Sequence, residues 1–297
     1  MNMNSFNEIS KYMKVNNLNL VEAILEIEAS NLVCTVTDVY DDLSKRLTDI
    51  KKSVEEASKA TVKTRIVCND SLKMKKYRLD KKPFSGDFIS RASEIALSVA
   101  TYNASMGRIV AAPTAGSCGI LPGLLLSWDE QRNNKSNNKV IVEGLIVAAC
   151  VGQIIANRST LAGAEGGCQA ECGAAVAMGS AALVWMECQN PDKCFHAASI
   201  CLKSIMGLIC DPVAGLVEVP CIKRNGSLVS LAILSADMAM AEIESIIPFD
   251  EIVDAMYAVG KALPSTLKET GEGGIAISRT GLSITGELKK EINRDMS

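Results

Sequence analysis

Polar and apolar positions along the chain fall into two textures. Up to about residue 82 the sequence is polar, rich in Lys and Asp and poor in Gly. Within it Val39, Leu43, Leu47, Ile50, Val54 and Ala57 recur at helical spacing, a single apolar stripe. This predicts a helix opening at Thr37 and Asp38, with a shorter helix before it over residues 20–29. The stripe is read as a face that packs onto the rest of the molecule. Pro83-Phe84-Ser85-Gly86 marks a boundary. Beyond it the apolar runs lengthen. Helices are predicted over 87–104, from the Gly119 loop through Leu126, and over 140–157, 169–187, 192–208, 227–246 and 251–263. A polar loop is expected at 129–139, and Pro264 opens a Gly-rich tail containing Thr270-Gly-Glu-Gly-Gly-Ile. No alternating run of convincing length occurs. The expected fold class is therefore all-α, with a small helical region over 1–82 and a helical body over 83–297.

Composition agrees with that reading. Hydrophobic residues make up 48% of the 297 positions and aromatics only 4%, so the core must be close-packed Ala, Leu, Ile, Val and Met around Gly. The stretch from Ile109 to Trp128 is uncharged and long enough to raise the question of a membrane span. It is broken by Pro113, Gly116, Gly119, Pro122 and Gly123, and reads as a loop between helices. The run from Cys172 to Met186 is short and bounded by Glu171 and Glu187, and 140–156 is interrupted by Glu143 and Gln153. These read as buried helices. A net charge of −3 gives no nucleic-acid signature. The basic cluster Lys73 to Lys82 reads as a solvated face or linker.

Eleven cysteines, scattered through apolar and Gly-rich contexts, argue against a disulfide framework and for a reducing, cytoplasmic setting. Cys150, Cys188, Cys194 and Cys201 read as buried small hydrophobes. Three others stand out. Cys168 closes Gly163-Ala-Glu-Gly-Gly and opens a helix, where the macrodipole favours a thiolate. Cys210 precedes Pro212, and Cys221 follows Pro220, with Gly215 providing the turn between them. Rigidly held thiolates suit an iron–sulfur cluster, and three rather than four leave one iron open to act as a Lewis acid. Cys172, one turn after Cys168, competes as a ligand. Spacing alone also leaves the reading of buried thiols at helix ends.

Other candidate groups are few. Lys223-Arg224-Asn225 offers cations for a substrate carboxylate, or a surface turn. Thr114, Ser117 and the backbone near Gly116 and Gly119 can form an anion nest. The single histidine, His196, lies among apolar neighbours and reads as structural. No supported Ser/His/Asp triad, His-based zinc site or pyridoxal-phosphate lysine motif is apparent.

Three segments carry a specific resemblance. The run Asn103-Ala-Ser-Met-Gly-Arg-Ile-Val-Ala-Ala-Pro-Thr-Ala-Gly-Ser-Cys-Gly-Ile-Leu-Pro-Gly123 is one. The others are Gly163-Ala-Glu-Gly-Gly-Cys-Gln-Ala-Glu and Cys210-Asp-Pro-Val-Ala-Gly-Leu-Val-Glu-Val-Pro-Cys-Ile-Lys-Arg-Asn225. Together they resemble the α chain of iron–sulfur-dependent bacterial L-serine dehydratases, well over residues 84–275 and loosely before. The resemblance implies a helical catalytic unit and a [4Fe–4S] cluster held by Cys168, Cys210 and Cys221. Cys172 and Cys118 fall outside that ligand set. It also implies a PLP-independent carbon–nitrogen lyase that converts L-serine to pyruvate and ammonia by elimination at the open iron. Thr114, Ser117, Arg224 and Asn225 are the expected substrate contacts, and the general base is unassigned. In two-chain versions a separate β chain carries an ACT-like domain and a Ser-Ser-His-Thr-type loop. This sequence has neither, so a β-chain partner is expected. The sequence departs from the family at 65–71, where a Thr-Gly-Gly-Asp stretch is usual, and at 276–280. Rival readings are a cluster-dependent L-cysteine desulfidase and a non-catalytic subunit sensing oxygen or iron.

Overall fold

The computed structural model describes residues 3–59, 64–132 and 138–295. Among these residues there are thirteen α-helices and no strand, as the absence of alternating patterns predicted. One isolated parallel bridge joins Cys210 to Lys268.

Helix α9 (Ala174–Cys188) is the axis of the body, and all of its residues from Ala174 to Met186 are buried. A helix apolar all round must be surrounded. Here α6 (Ile120–Gln131), α7 (Asn138–Arg158), α10 (Pro191–Ile205) and α11 (Cys221–Met240) enclose it. Small residues set the spacing: a Cβ at Gly179 would stand 2.2 Å from Leu124 Cδ1, and one at Gly144 2.8 Å from Met186 Cγ. Each large apolar side chain buried in this way contributes roughly 1.5–3 kcal/mol. Among the described residues only α7 is long and apolar enough to cross a membrane, and 67% of its apolar window is buried inside the molecule. It packs against α9, α2 (Leu20–Leu32) and α3 (Val36–Lys59).

The predicted stripe is α3. Val39, Leu47, Ile50, Val54 and Ala57 are buried and Leu43 is half-buried, on a face that meets α5 (Gly86–Ala104) and α7. The helix opens one residue earlier than predicted. Thr35 Oγ1 accepts from Asp38 N at 3.1 Å while Thr35 N donates to Asp38 Oδ2 at 2.9 Å, a reciprocal cap. Helix α1 (Phe6–Asn16) was not predicted. Phe6 stacks on Phe195 with centroids 3.7 Å apart, and its N–H donates to Asp250 at 2.9 Å, which pins α1 to α10 and α12 (Phe249–Ala262).

The basic segment is a solvated face, as read: it forms α4 (Asp70–Asp80), which buries no residue and is held to α5 by Arg78, whose Nε donates to Glu94 at 2.9 Å. Two further readings are corrected. Helix α11 begins at Cys221 rather than near 227 and stops at Met240, so Lys223-Arg224-Asn225 lies in its first turns and is not a loop. The Gly-rich tail leads into another helix, α13 (Arg279–Asp295), whose start is fixed by Ser278 Oγ accepting from Gly281 N at 3.1 Å. The expected loop at 129–139 falls partly outside the described residues; Asp129–Gln131 belong to α6 and Asn138 opens α7.

Candidate functional site: a thiol-lined centre

Cys168, Cys210 and Cys221 lie far apart in sequence, and each is buried, at 3%, 4% and 9% exposure. Three different local devices deliver them. Cys168 follows a single helical turn, α8 (Gly163–Gly166), and Gly167 at φ +77°. A Cβ at Gly167 would meet Leu208 O at 2.8 Å, so only glycine lets the two segments touch. Residues Gln169–Gly173 then form a π-helical turn before α9 begins. Such turns are rare and often mark functional sites, because the extra residue re-aims side chains. Cys210 is fixed by a two-bond bridge: its N–H donates to Leu267 O at 2.9 Å, and its carbonyl accepts from Glu269 N at 2.8 Å. Cys221 is the first residue of α11, behind the cis Val219–Pro220 bond. Its loop is closed by Val213 N donating to Val219 O at 2.9 Å and turned by Ala214 and Gly215, both at positive φ.

Buried polar side chains lock these segments together. Gln169 is fully buried; its amide nitrogen donates to Gly166 O (2.9 Å) and Met256 O (3.0 Å), and its oxygen accepts from Gly207 N (2.8 Å). Asp211 accepts from Arg224 Nη2 and from Ile275 N, both at 2.9 Å, which ties the loop after Cys210 to α11 and to the C-terminal segment. The Glu218 carboxylate, 3% exposed, accepts from the backbone N–H groups of Arg65, Ile66 and Val67 at 2.8–3.0 Å. That is an anion nest. It places the departing segment 65–71 directly under the loop that ends in Cys221, and Asp70 adds an ion pair to Lys223 at 2.9 Å.

The thiols sense one another. A hydrogen bond from Cys172 holds the Cys168 thiol below its ordinary pKa against the effect of burial, helped by the Arg224 guanidinium. Cys172, as donor, is held well above the ordinary thiol range, first by that bond and then by burial. Burial pushes Cys210 far up, and negative charge at Cys168, Glu171, Glu269 and Cys221 adds to it. Cys221 is pushed up to about 12, by burial first and then by Cys168. Among the described residues no group of three or more His, Cys, Asp or Glu side chains is close enough to hold one metal ion. A mononuclear site needs all its donors roughly 2.0–2.3 Å from one point. A cluster instead takes each thiolate on a different iron, so its thiols need not share one point. The residues present fit such a group.

The predicted substrate residues surround this centre in different ways. Thr114 Oγ1 donates to Glu171 Oε1 at 2.8 Å and stands 3.2 Å from Ser117 Oγ. Ser117 is fully buried in the short 3₁₀ turn Ala115–Ser117. Arg224 reaches back to Ile209 O (2.8 Å) and Asp211. Asn225 is fully buried, and its amide is committed: it accepts from Gly119 N (2.9 Å) and donates to Gly116 O (2.7 Å) and Cys221 O (2.9 Å). It clamps the Thr114 loop to the helix carrying Cys221. Glu171 was missed. Its signal is in the sequence, as the sole charge between Gly166 and Met186. His196 accepts from Ser245 N at 3.2 Å, away from this centre, in the structural role read for it. Cys150, Cys194 and Cys201 are buried as expected, but Cys188 is exposed. It ends α9 beyond the last core-facing turn, where Gln189 takes a left-handed conformation.

Among the described residues the protein is all-helical, and three buried thiols come from three separate segments. The sequence profile of the serine dehydratase α chain family matches residues 15–276. The chain is 40% identical over 291 residues to the L-serine dehydratase α chain of Peptoniphilus asaccharolyticus, covering 97% of this chain and 99% of that one. It is 41% identical over 259 residues to the probable L-serine dehydratase α chain of Bacillus subtilis, covering 87% and 84%. The L-serine dehydratase of Helicobacter pylori is 36% identical over 206 residues, 68% of this chain and 45% of that longer protein. The chain belongs to the serine dehydratase α chain family.

Proposed function

We propose that this chain is the α subunit of a PLP-independent L-serine dehydratase that holds a [4Fe–4S] cluster through Cys168, Cys210 and Cys221. The observation that carries the reading is the convergence of these three buried thiols, each fixed by its own backbone device, beside Thr114, Glu171 and Arg224. Bound there, a cluster with one iron free of cysteine supplies a Lewis acid that makes the serine hydroxyl a better leaving group.

The chain's own groups do the rest. Thr114 and Ser117 sit at the substrate end of the site and orient the amino acid. Asn225 keeps their loop in register with the helix of Cys221, and Arg224, braced by Asp211, provides positive charge toward the carboxylate. Burial excludes bulk water and strengthens these contacts. Loss of the α-proton and of the β-hydroxyl, as water, gives 2-aminoacrylate. This tautomerises to the imine and takes up water, yielding pyruvate and ammonia. The names of the two-chain relatives support a β chain as partner. In the proposed assembly that chain carries the ACT-like domain, in the reducing cytoplasm that buried free thiols require.

The test is anaerobic reconstitution with iron and sulfide beside the Cys210→Ser variant, followed by a serine assay with the β chain. About four iron and four sulfide per chain are expected, lost in the variant while helix content is kept. Full serine turnover without iron would sink the mechanism.

A further inference from the structure

Glu171 is half-buried and differs from the fully buried acids Asp211, Glu218 and Glu94. Asp211 has Arg224 and a backbone N–H, Glu218 has three backbone N–H groups, and Glu94 has Arg78 and Arg91. Glu171 has one hydroxyl donor, Thr114, on Oε1. Its Oε2 accepts no hydrogen bond from any described residue, and no described Lys or Arg pairs with it; Glu269, of the same sign, lies close enough to raise its pKa further. Taking a carboxylate partly out of water with one oxygen unpaired is costly, so such a group points to a ligand that completes it.

At two positions glycine backbone, rather than a side chain, lies against the carboxylate. A Cβ at Gly163 would lie 2.6 Å from Oε2 and 3.3 Å from Cys210 Sγ, and a Cβ at Gly116 would lie 3.1 Å from Oε1. Two glycines thus leave no side chain of their own over either oxygen, and Gly163 does so beside a cluster thiol. The ligand that fits is small, cationic and rich in N–H donors, and it sits within reach of the group that would engage a β-hydroxyl.

We infer that Glu171 receives the α-ammonium of the amino-acid substrate, and so selects amino acids over the corresponding hydroxy acids. This rests on the dehydratase reading. A carboxylate accepting from an ammonium makes a charge-assisted hydrogen bond, about twice as strong as a neutral one. Thr114 then orients the amino acid in part by holding the Glu171 carboxylate in place.

The experiment uses the reconstituted enzyme with its β chain, wild type and Glu171→Gln. Glutamine keeps an acceptor for Thr114 and removes the charge. KM and kcat for L-serine are measured with iron content and with the calorimetric affinity of glycerate, which has a hydroxyl in place of the ammonium. The expected result is a KM raised about tenfold or more, equivalent to ~1.4 kcal/mol, with kcat, iron content and glycerate affinity within about threefold of wild type. A kcat that collapses at unchanged KM would assign Glu171 to proton transfer and overturn the inference. Equal weakening of serine and glycerate, or no change in either, would overturn it too. Wild-type enzyme that holds iron yet turns over no serine would bring down the dehydratase reading itself.

Discussion

The helical body around α9 and the thiol-lined centre at its edge are held together by opposite means. In the body, contacts are apolar and shared: Ala, Val, Leu and Met fill space on every side of α9. In the centre, besides the backbone bonds at Cys210 and Cys221, single polar side chains hold the junctions. Gln169 joins α8, α12 and the turn at Gly207; Asn225 joins the Thr114 loop to α11; Glu218 joins residues 65–67 to the Cys221 loop. Dispersion and burial are non-directional, so they build a stable body without placing any atom finely. Hydrogen bonds in a buried setting are directional and costly to leave unmade, so they position atoms at the expense of redundancy.

Substitutions should separate the two regions. Leu121→Ala, at a fully buried position of α6, should cost about 2–5 kcal/mol of unfolding free energy. Denaturant titration would show this, with iron content per folded chain unchanged. Glu218→Ala should cost less, about 2–3 kcal/mol, because three N–H groups lose a charged acceptor. It should also lower iron content, since the Cys221 loop loses its anchor; full loading would show that the nest is not what positions that cysteine. Asn225→Ala should cost about 1–2 kcal/mol in stability and lower serine turnover by about tenfold, a barrier change of ~1.4 kcal/mol. Far-UV dichroism should stay native. Cys188→Ser, at an exposed helix end, should stay within about 0.5 kcal/mol of wild type and keep full iron. A loss of iron there would mean that a fourth cysteine takes part.

The same division explains what could be read from the chain. Stripes such as Val39 to Ala57 declare their helix because burial acts on residue type and period alone. The site motifs declared their cysteines through Pro and Gly. Asn225 and Glu171 gave weaker signals: whether an amide is a ligand contact or a clamp depends on what lies opposite, and for Asn225 that is Gly116 and Gly119, over a hundred positions earlier in the chain. The start of α11 was placed late because Lys223-Arg224-Asn225 looks like a solvated turn, whereas Arg224 folds back onto Ile209 and Asp211. Helix α13 was hidden by the glycines before it, whose role is to pass the chain over Asp211. A Cβ at Gly274, φ +57°, would stand 2.3 Å from Asp211 Oδ2.

The bridge from Cys210 to Leu267 and Glu269 also sets a schedule. The other two thiols of the centre, Cys168 and Cys221, also precede residue 267 and could be exposed on a growing chain, but Cys210 has no fixed position until residues 267–269 pair with it, and Asp211 has none until Ile275 arrives. Contacts so distant along the chain form late in folding. Synthesis must therefore pass residue 275 before the three thiols can be presented together, so a cluster would be inserted only after that point.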